Sequence, residues 1–114
     1  MVIKKHYSDV KAENIEVPGA KNGTIRWLIA VKDGAENFAL RLFEIAKDGH
    51  TPEHTHNWEH EIFVLEGEGM LISEDGDKPL KKGDFGFVPA MTLHQFRNTS
   101  EKTFKFLCVV PIKE

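Results

Sequence analysis

Four histidines are the residues of this chain whose type and spacing indicate chemistry. His54, His56 and His60 fall within seven positions, and His94 lies in a separate segment punctuated by proline and glycine. Neutral imidazole is the commonest metal ligand in proteins. Four neutral ligands leave a divalent ion its full charge, which favours Lewis-acid polarisation of a bound oxygen, or redox chemistry if the metal can change valence. We therefore predict one divalent metal ion bound by these four side chains.

The spacing of the histidines explains how they could converge. Side chains two positions apart on an extended strand point to the same face, so His54 and His56 can approach an ion from one side. A bend at Asn57 would let His60 join them, and His94 would arrive from a distant strand. The alternative is a set of solvated loop histidines, which a cluster this dense followed by a fourth histidine makes less favoured.

Other polar residues near the cluster are weighed as competitors. Glu59 and Glu61 flank His60 and could bind metal, although each could equally be solvent-exposed or orient a histidine. His6 lies in a polar N-terminal arm and His50 follows a turn glycine. Neither repeats the spacing, so we do not expect them to be ligands.

Five further residues are candidates for the surroundings of the metal. Cys108 could be a thiol beside the metal ligands or simply a small buried hydrophobic residue. Trp58 could wall a pocket or pack at the mouth of a barrel, and Phe96 and Phe106 are predicted to line the pocket. Arg41 lies in a mostly apolar strand. It could bind a substrate carboxylate or enolate, or it could be a salt-bridged structural arginine.

Short strands must position these side chains. Alternation of apolar residues and turn residues predicts strands over 24–31, 38–45, 62–65, 69–73, 85–88, 94–98 and 104–110. We expect Asp33-Gly34 to connect a hairpin and Asp48-Gly49 to end the second strand. The apolar run 62–65 is typical of a strand covered on both sides, with 69–73 as its partner. About eight to ten strands and no convincing helix indicate a sandwich or barrel.

Bulk properties bound the class of protein. The chain has 114 residues, which fits one domain over 1–114, and a net charge of −3 with no basic stripe that would indicate a nucleic acid or membrane partner. Its single cysteine excludes an intramolecular disulfide and cysteine-based zinc motifs. No apolar run approaches the roughly 20 residues of a membrane helix. These features predict a soluble, cytoplasmic protein.

The two histidine segments resemble the two motifs of the cupin family. Residues 48–67 contain the His-x-His pair and Gly67 of the first motif, and residues 83–98 contain Gly83, Pro89, His94 and Asn98 of the second. The glutamate position of the first motif falls on His60, because three residues separate it from His56 and six separate it from Gly67. Asp48 and Met91 stand where the motifs carry glycine, and Met91 could add an apolar wall to the pocket.

The resemblance implies a fold, a metal and a range of activities. It implies an all-β, cupin-type double-stranded β-helix (jelly-roll) barrel, similar to small four-histidine cupins, several of which carry manganese, and commonly a homodimer. The expected cofactor is one divalent transition metal per chain, manganese first, with iron, nickel, copper or zinc possible. The leading interpretation is a dioxygenase-type oxidoreductase acting on a small organic substrate. A non-redox isomerase or lyase, and a non-catalytic metal or ligand-binding module, remain open.

Overall fold

A computed structural model of the chain describes residues 1–112, so the last two residues of the predicted domain lie outside the described part. It contains nine strands: β1 (Glu13–Asn14), β2 (Lys21–Ile29), β3 (Phe38–His50), β4 (His60–Glu66), β5 (Glu68–Ser73), β6 (Lys78–Lys81), β7 (Phe85–Val88), β8 (His94–Asn98) and β9 (Phe104–Pro111). Two short 3₁₀ helices, Tyr7–Asp9 and Val31–Asp33, complete the elements. The predicted all-β class is confirmed.

The strands form a nearly closed antiparallel barrel. They run in the order β6-β5-β8-β3-β9-β4-β7, and β2 pairs with the outer part of β3 and with β1. The long strand β3 connects the two sides, because residues 38–45 pair with β9 while His50 pairs with Arg97 of β8. Among residues 1–112, no helix is long and apolar enough to cross a membrane.

Alternation along the strands places the core inside the barrel. In β9, Phe104, Phe106, Cys108 and Val110 are buried, as the sequence predicted, and they pack against Phe43 and other inward residues of β3, β4 and β8. The aromatic rings of Phe43 and Phe106 stack with centroids 5.1 Å apart. This apolar core supports the end of the barrel at which the histidines gather.

Several strand predictions need correction. The first predicted strand begins earlier, at Lys21, and its expected last residue, Val31, instead starts a 3₁₀ turn that ends at Gly34 in the left-handed region. The second predicted strand continues through Asp48-Gly49 to His50. The chain accommodates the turn residues by a φ of 65° at Asp48 and a shift in the register of pairing with β2. A turn signal therefore produced a bulge within a strand and did not end it.

The prediction that β4 and β5 are partners is wrong. Strand β4 pairs with β7 and β9, whereas β5 pairs with β6 and β8. Gly67 between them has a φ of 80°, and a β-carbon there would lie 2.4 Å from the carbonyl oxygen of Thr103, so the chain turns sharply between the two sides of the barrel. Strand β4 is also covered on one side only, because Phe63 is exposed while Ile62 and Val64 are buried.

Candidate metal centre

The histidines are brought together by the ends of two strands and one extended connection. His60 opens β4 and His94 opens β8, while His54 and His56 lie in the connection between β3 and β4, which is not the regular strand that was predicted. His54 and His94 face each other in an isolated antiparallel bridge, each backbone N–H donating to the other's carbonyl over 3.1 Å. Cross-strand neighbours in such a bridge present their side chains to the same side, which aims both imidazoles inward.

The four imidazole rings form one cluster. Ligand nitrogens of His54, His56 and His94 all lie within 4.8 Å of one another. His60 joins through His56, because their Nε2 atoms are 2.8 Å apart, and its ring centroid lies 5.0 Å from that of His94. Zinc–imidazole bonds are about 2.0–2.1 Å long, so two ligands at a right angle would place their nitrogens about 3 Å apart. The His56–His60 separation is that of a hydrogen bond between the two rings, and it is also close to the spacing that one shared ion would impose.

Backbone carbonyls fix which nitrogen of two rings faces inward. The Nδ1 of His56 lies 3.3 Å from the carbonyl oxygen of Trp58, and that of His94 lies 2.8 Å from the carbonyl oxygen of Thr92. A carbonyl only accepts, so each Nδ1 donates and the lone pair is left on Nε2. A hydrogen bond from the ring nitrogen that does not face the ion fixes the orientation of a metal-binding histidine, and such bonds are common at metal sites.

The surroundings of three clustered histidines favour their neutral form. Burial, followed by the positive charge of Arg41, lowers the pKa of His60 to about 3. Burial and the neighbouring His94 lower the pKa of His54 to about 4, and the same two causes lower the pKa of His56. Neutral imidazoles with free lone pairs are the form that binds a metal. The donor set therefore fits a divalent transition metal.

The competing candidates lie elsewhere. Glu61 points to the outer face of β4, opposite to His60, and both it and Glu59 are exposed. The Nδ1 of His6 lies 2.7 Å from the hydroxyl of Ser8 in the N-terminal arm. His50 contacts Gln95 and the carbonyl of Thr51, away from the cluster.

A cavity of about 190 Å³ opens beside the histidines. Four of the five residues predicted to surround the metal line this cavity, namely Trp58, Phe96, Arg41 and Cys108. The Trp58 indole stacks on the His56 ring with centroids 4.1 Å apart. Phe106 does not line the cavity. It is completely buried beneath Phe96, at a centroid distance of 4.7 Å, because β9 carries it into the core below the cavity floor.

The two non-glycine residues at the motif glycines both adopt the left-handed conformation. Asp48 and Met91 each have a φ of 65°, which explains why glycine suits these positions. The N–H of Met91 donates to the carbonyl of His56 over 2.7 Å, so this turn holds the histidine connection in place. The Met91 side chain is exposed and does not line the cavity, contrary to the expectation of an apolar wall.

Cys108 and Arg41 form a polar contact behind His60. The Cys108 Sγ lies 3.1 Å from His60 Nδ1 and accepts from Arg41 Nη2 over 3.0 Å. Cys108 is 1% exposed, and burial raises the pKa of its thiol despite the nearby guanidinium. Cys108 is thus both a small buried residue and a thiol beside the histidine cluster, so both alternatives considered from the sequence describe it.

One wall of the cavity was missed by sequence reasoning. Ile15 and Val17 of the N-terminal arm line it, together with Ile25 and the pair Thr51-Pro52 that precedes the histidines. The alternation of Ile15 and Val17 around a glutamate was the available signal, but both residues lie outside a regular strand, just after the two-residue β1.

Comparisons with known proteins agree with this architecture. The family of cupin domains matches residues 41–110. The polyketide cyclase RemF from Streptomyces resistomycificus is similar, with 42% identity, a TM-score of 0.93, and coverage of 99% of this chain and 81% of that one. An oxalate-binding protein of Thermotoga maritima is 27% identical over 96% of this chain and 93% of its own length. A sugar phosphate isomerase from Silicibacter pomeroyi, 21% identical with a TM-score of 0.86, covers 97% of this chain and 76% of that one and supports the fold alone.

The matched region contains β4 to β8 in full, including all four clustered histidines. The strand order, the two histidine segments and the family match all lead to one assignment. The chain belongs to the cupin family, as a small member with a histidine cluster able to hold a metal.

Proposed function

We propose that this protein is a metal-dependent enzyme that closes a ring in a polyketide-like substrate without net oxidation. The observation that carries the proposal is the 42% identity to a polyketide cyclase across nearly the whole chain. The neutral histidine cluster beside an aromatic-walled cavity supports it, because such a site suits carbonyl chemistry. The proposal replaces the dioxygenase as the leading interpretation in favour of the non-redox alternative.

The reaction needs little beyond binding and orientation. A carbon between two carbonyls loses a proton and attacks a third carbonyl, whose oxygen gains a proton, so the cyclised product has the mass of the substrate until water is lost. A bound metal would supply Lewis-acid polarisation of a carbonyl oxygen. His54, His56, His60 and His94 would hold it.

The protein's own side chains would set the conformation of the substrate. The Trp58 ring is fixed by stacking on His56, and Phe96 lies on a core of packed aromatics, so both offer rigid apolar walls. Ile15 and Val17 of the N-terminal arm close the opposite side of the cavity. Holding a flexible chain with its reacting carbons close together can contribute several kcal/mol of a barrier.

Anaerobic turnover tests this proposal. Protein loaded separately with manganese, iron, nickel, copper or zinc is incubated with a synthetic aromatic-capped tetraketide, and products are analysed by mass spectrometry. We expect a product of unchanged mass, or one water lighter, formed equally with and without oxygen and abolished in His94→Ala. The absence of turnover with every metal would contradict the proposal.

A dioxygenase is the second candidate. The same histidine set supports it, because imidazole ligands also suit metals that change valence. It predicts oxygen consumption and a product heavier by two oxygen atoms. Tight binding of the tetraketide with neither outcome would instead support a non-catalytic binding module. We keep manganese as the first metal on family resemblance, and elemental analysis of protein purified from its natural source tests that choice.

We also propose a homodimer formed through the outer face of β4 and β7. Phe63, Phe85 and Phe87 are 46%, 81% and 52% exposed, and Phe38 nearby is 66% exposed. These rings expose on the order of 500 Å² of aromatic surface, comparable to the largest patches found on monomers. Light scattering should show a dimer that Phe85→Lys converts to monomer, while Val31→Lys, at an exposed apolar site off this face, leaves it intact. A monomeric wild type would refute the interface.

A cytoplasmic location is proposed as well. Cys108, the chain's one cysteine, is free and buried, so no disulfide requires an oxidising compartment. Immunodetection after fractionation of the source cells tests this location, and recovery with exported proteins would contradict it.

A further inference from the structure

Arg41 is held rigidly at the boundary of the histidine site. Its guanidinium carbon lies 5.4 Å from the ring centroid of Trp27 and 5.0 Å from that of Phe43. Its Nη2 donates to Cys108 Sγ over 3.0 Å and lies 3.3 Å from His60 Nδ1. These contacts orient the guanidinium, but none of them offers a negative charge.

The positive charge of Arg41 has no counter-charge among the side chains of the described residues. No ion pair found within residues 1–112 includes it, so the predicted alternative of a salt-bridged arginine is wrong. Its Nε is buried and has no hydrogen-bond partner. By contrast, Arg26 on the neighbouring strand binds Glu44 over 2.8 Å. A sequestered charge without a partner costs several kcal/mol, and native proteins rarely leave one unless a ligand completes it.

Two cavities meet at Arg41 and Trp58. The first contains the histidines, and the second, of about 260 Å³, lies on the other side and is lined by Trp27, Val110 and Ile112 among others. Among residues 1–112, neither lining includes an aspartate or glutamate. A metal in the first cavity would add positive charge, so the combined site is cationic at its centre and apolar at both ends.

We propose that Arg41 binds an anionic group, a carboxylate or enolate, of an elongated and otherwise apolar ligand that extends past Trp58 from one cavity into the other. The inference deepens the proposed function and relies on it for treating this ligand as the substrate. Ring closure passes through an enolate, and a fixed guanidinium beside the histidine cluster stabilises that charge as it develops. Arg41 would thereby select substrates that carry or form an anion at this point.

Binding of a charged probe and its neutral isostere tests the inference. Affinities of 2-naphthoate and 2-naphthamide are measured by calorimetry on metal-free and zinc-loaded wild type, Arg41→Met, Arg41→Lys and Arg97→Met. Arg97 is exposed and lines neither cavity, which makes it the matched control. We expect naphthoate to bind the metal-free wild type about tenfold or more tightly than naphthamide. Arg41→Met should abolish that preference, Arg41→Lys should keep part of it, and Arg97→Met should leave it unchanged.

If Arg41→Met fails to fold, the affinities of naphthoate and naphthamide for the wild-type protein still test the inference. Equal affinity for naphthoate and naphthamide in metal-free wild type would overturn it, as would a naphthoate preference that survives in folded Arg41→Met. Because these measurements need no metal and no turnover, they separate the inference from the proposed function. Selective anion binding without cyclisation would refute only the enzyme, and cyclisation without selective binding would refute only the role of Arg41.

Discussion

Acidification of the metal-free protein should destabilise it substantially through His60. This side chain is 6% exposed, and burial together with Arg41 lowers its pKa to about 3, from 6.5 in an unfolded chain. Between these values the unfolded state binds the extra proton, so stability rises with pH. The contribution is present above pH 6.5 and is lost as the pH falls towards 3.

The size of the effect follows from the two pKa values. Lowering the pH from 7.5 to 4.0 protonates His60 almost fully in the unfolded chain and hardly at all in the folded one, which costs about 3 kcal/mol through this group alone. Domains of this kind are stable by only about 5–15 kcal/mol. One histidine would therefore remove a large share of the stability.

Urea unfolding of metal-free protein at pH 7.5 and 4.0 measures the effect. Carboxylates also titrate in this range, so the informative quantity is the difference between wild type and His60→Gln, which removes the titrating group while keeping a polar side chain. The stability lost on acidification should be about 3 kcal/mol smaller in His60→Gln than in wild type. His6→Gln, at an exposed site, should behave as wild type. Equal losses in wild type and His60→Gln would refute the reasoning.

Three further outcomes are expected. Met91→Gly should raise the free energy of unfolding by up to about 1 kcal/mol, because it relieves the left-handed backbone, while Met91→Ala should give no gain in a thermal melt. Gly69→Ala should destabilise by about 1–3 kcal/mol, since its β-carbon would lie 2.5 Å from the Phe104 ring, whereas Gly86→Ala meets Ile62 at 3.3 Å and should cost less in urea unfolding. Metal-loaded protein dialysed at pH 5 should retain its metal by elemental analysis, because burial lowers the pKa of His54 to about 4 and that of His60 to about 3, and loss at that pH would contradict the depressed values.

The choice between His60 and Glu61 shows how far sequence reasoning reached. Alternation in β4 puts His60 on the buried side with Ile62 and Val64, so the same pattern that identifies the strand also places Glu61 outside. The motif residue Asn98 is similarly explained, because its amide donates to the carbonyls of Ile45 and Lys102 and holds a turn. From the sequence, His60 was chosen by its spacing to His56 and Gly67, and the alternation observed in β4 gives the physical reason for that choice, because alternation fixes which face a side chain occupies.

Periodicity alone could not say which strands are neighbours. The expected pairing of β4 with β5 failed because antiparallel hairpins are the default for short connections, whereas Gly67 redirects the chain across the barrel. The same limitation applies to depth. Phe96 and Phe106 both face inward, yet only Phe96 reaches the cavity, since Phe106 lies a layer below it.

By itself, the sequence determined an all-β chain, the cupin resemblance and a set of histidines suited to one metal, because residue type, alternation and short spacings are local properties. The tertiary structure alone decided that His54 bridges His94, that Ile15 lines the cavity, and that no carboxylate within the described part of the chain pairs with Arg41. Each of these facts depends on which distant segments meet. The unpaired charge of Arg41 is a property of the assembled barrel, because it depends on which side chains of residues 1–112 are brought within ion-pair distance of the guanidinium.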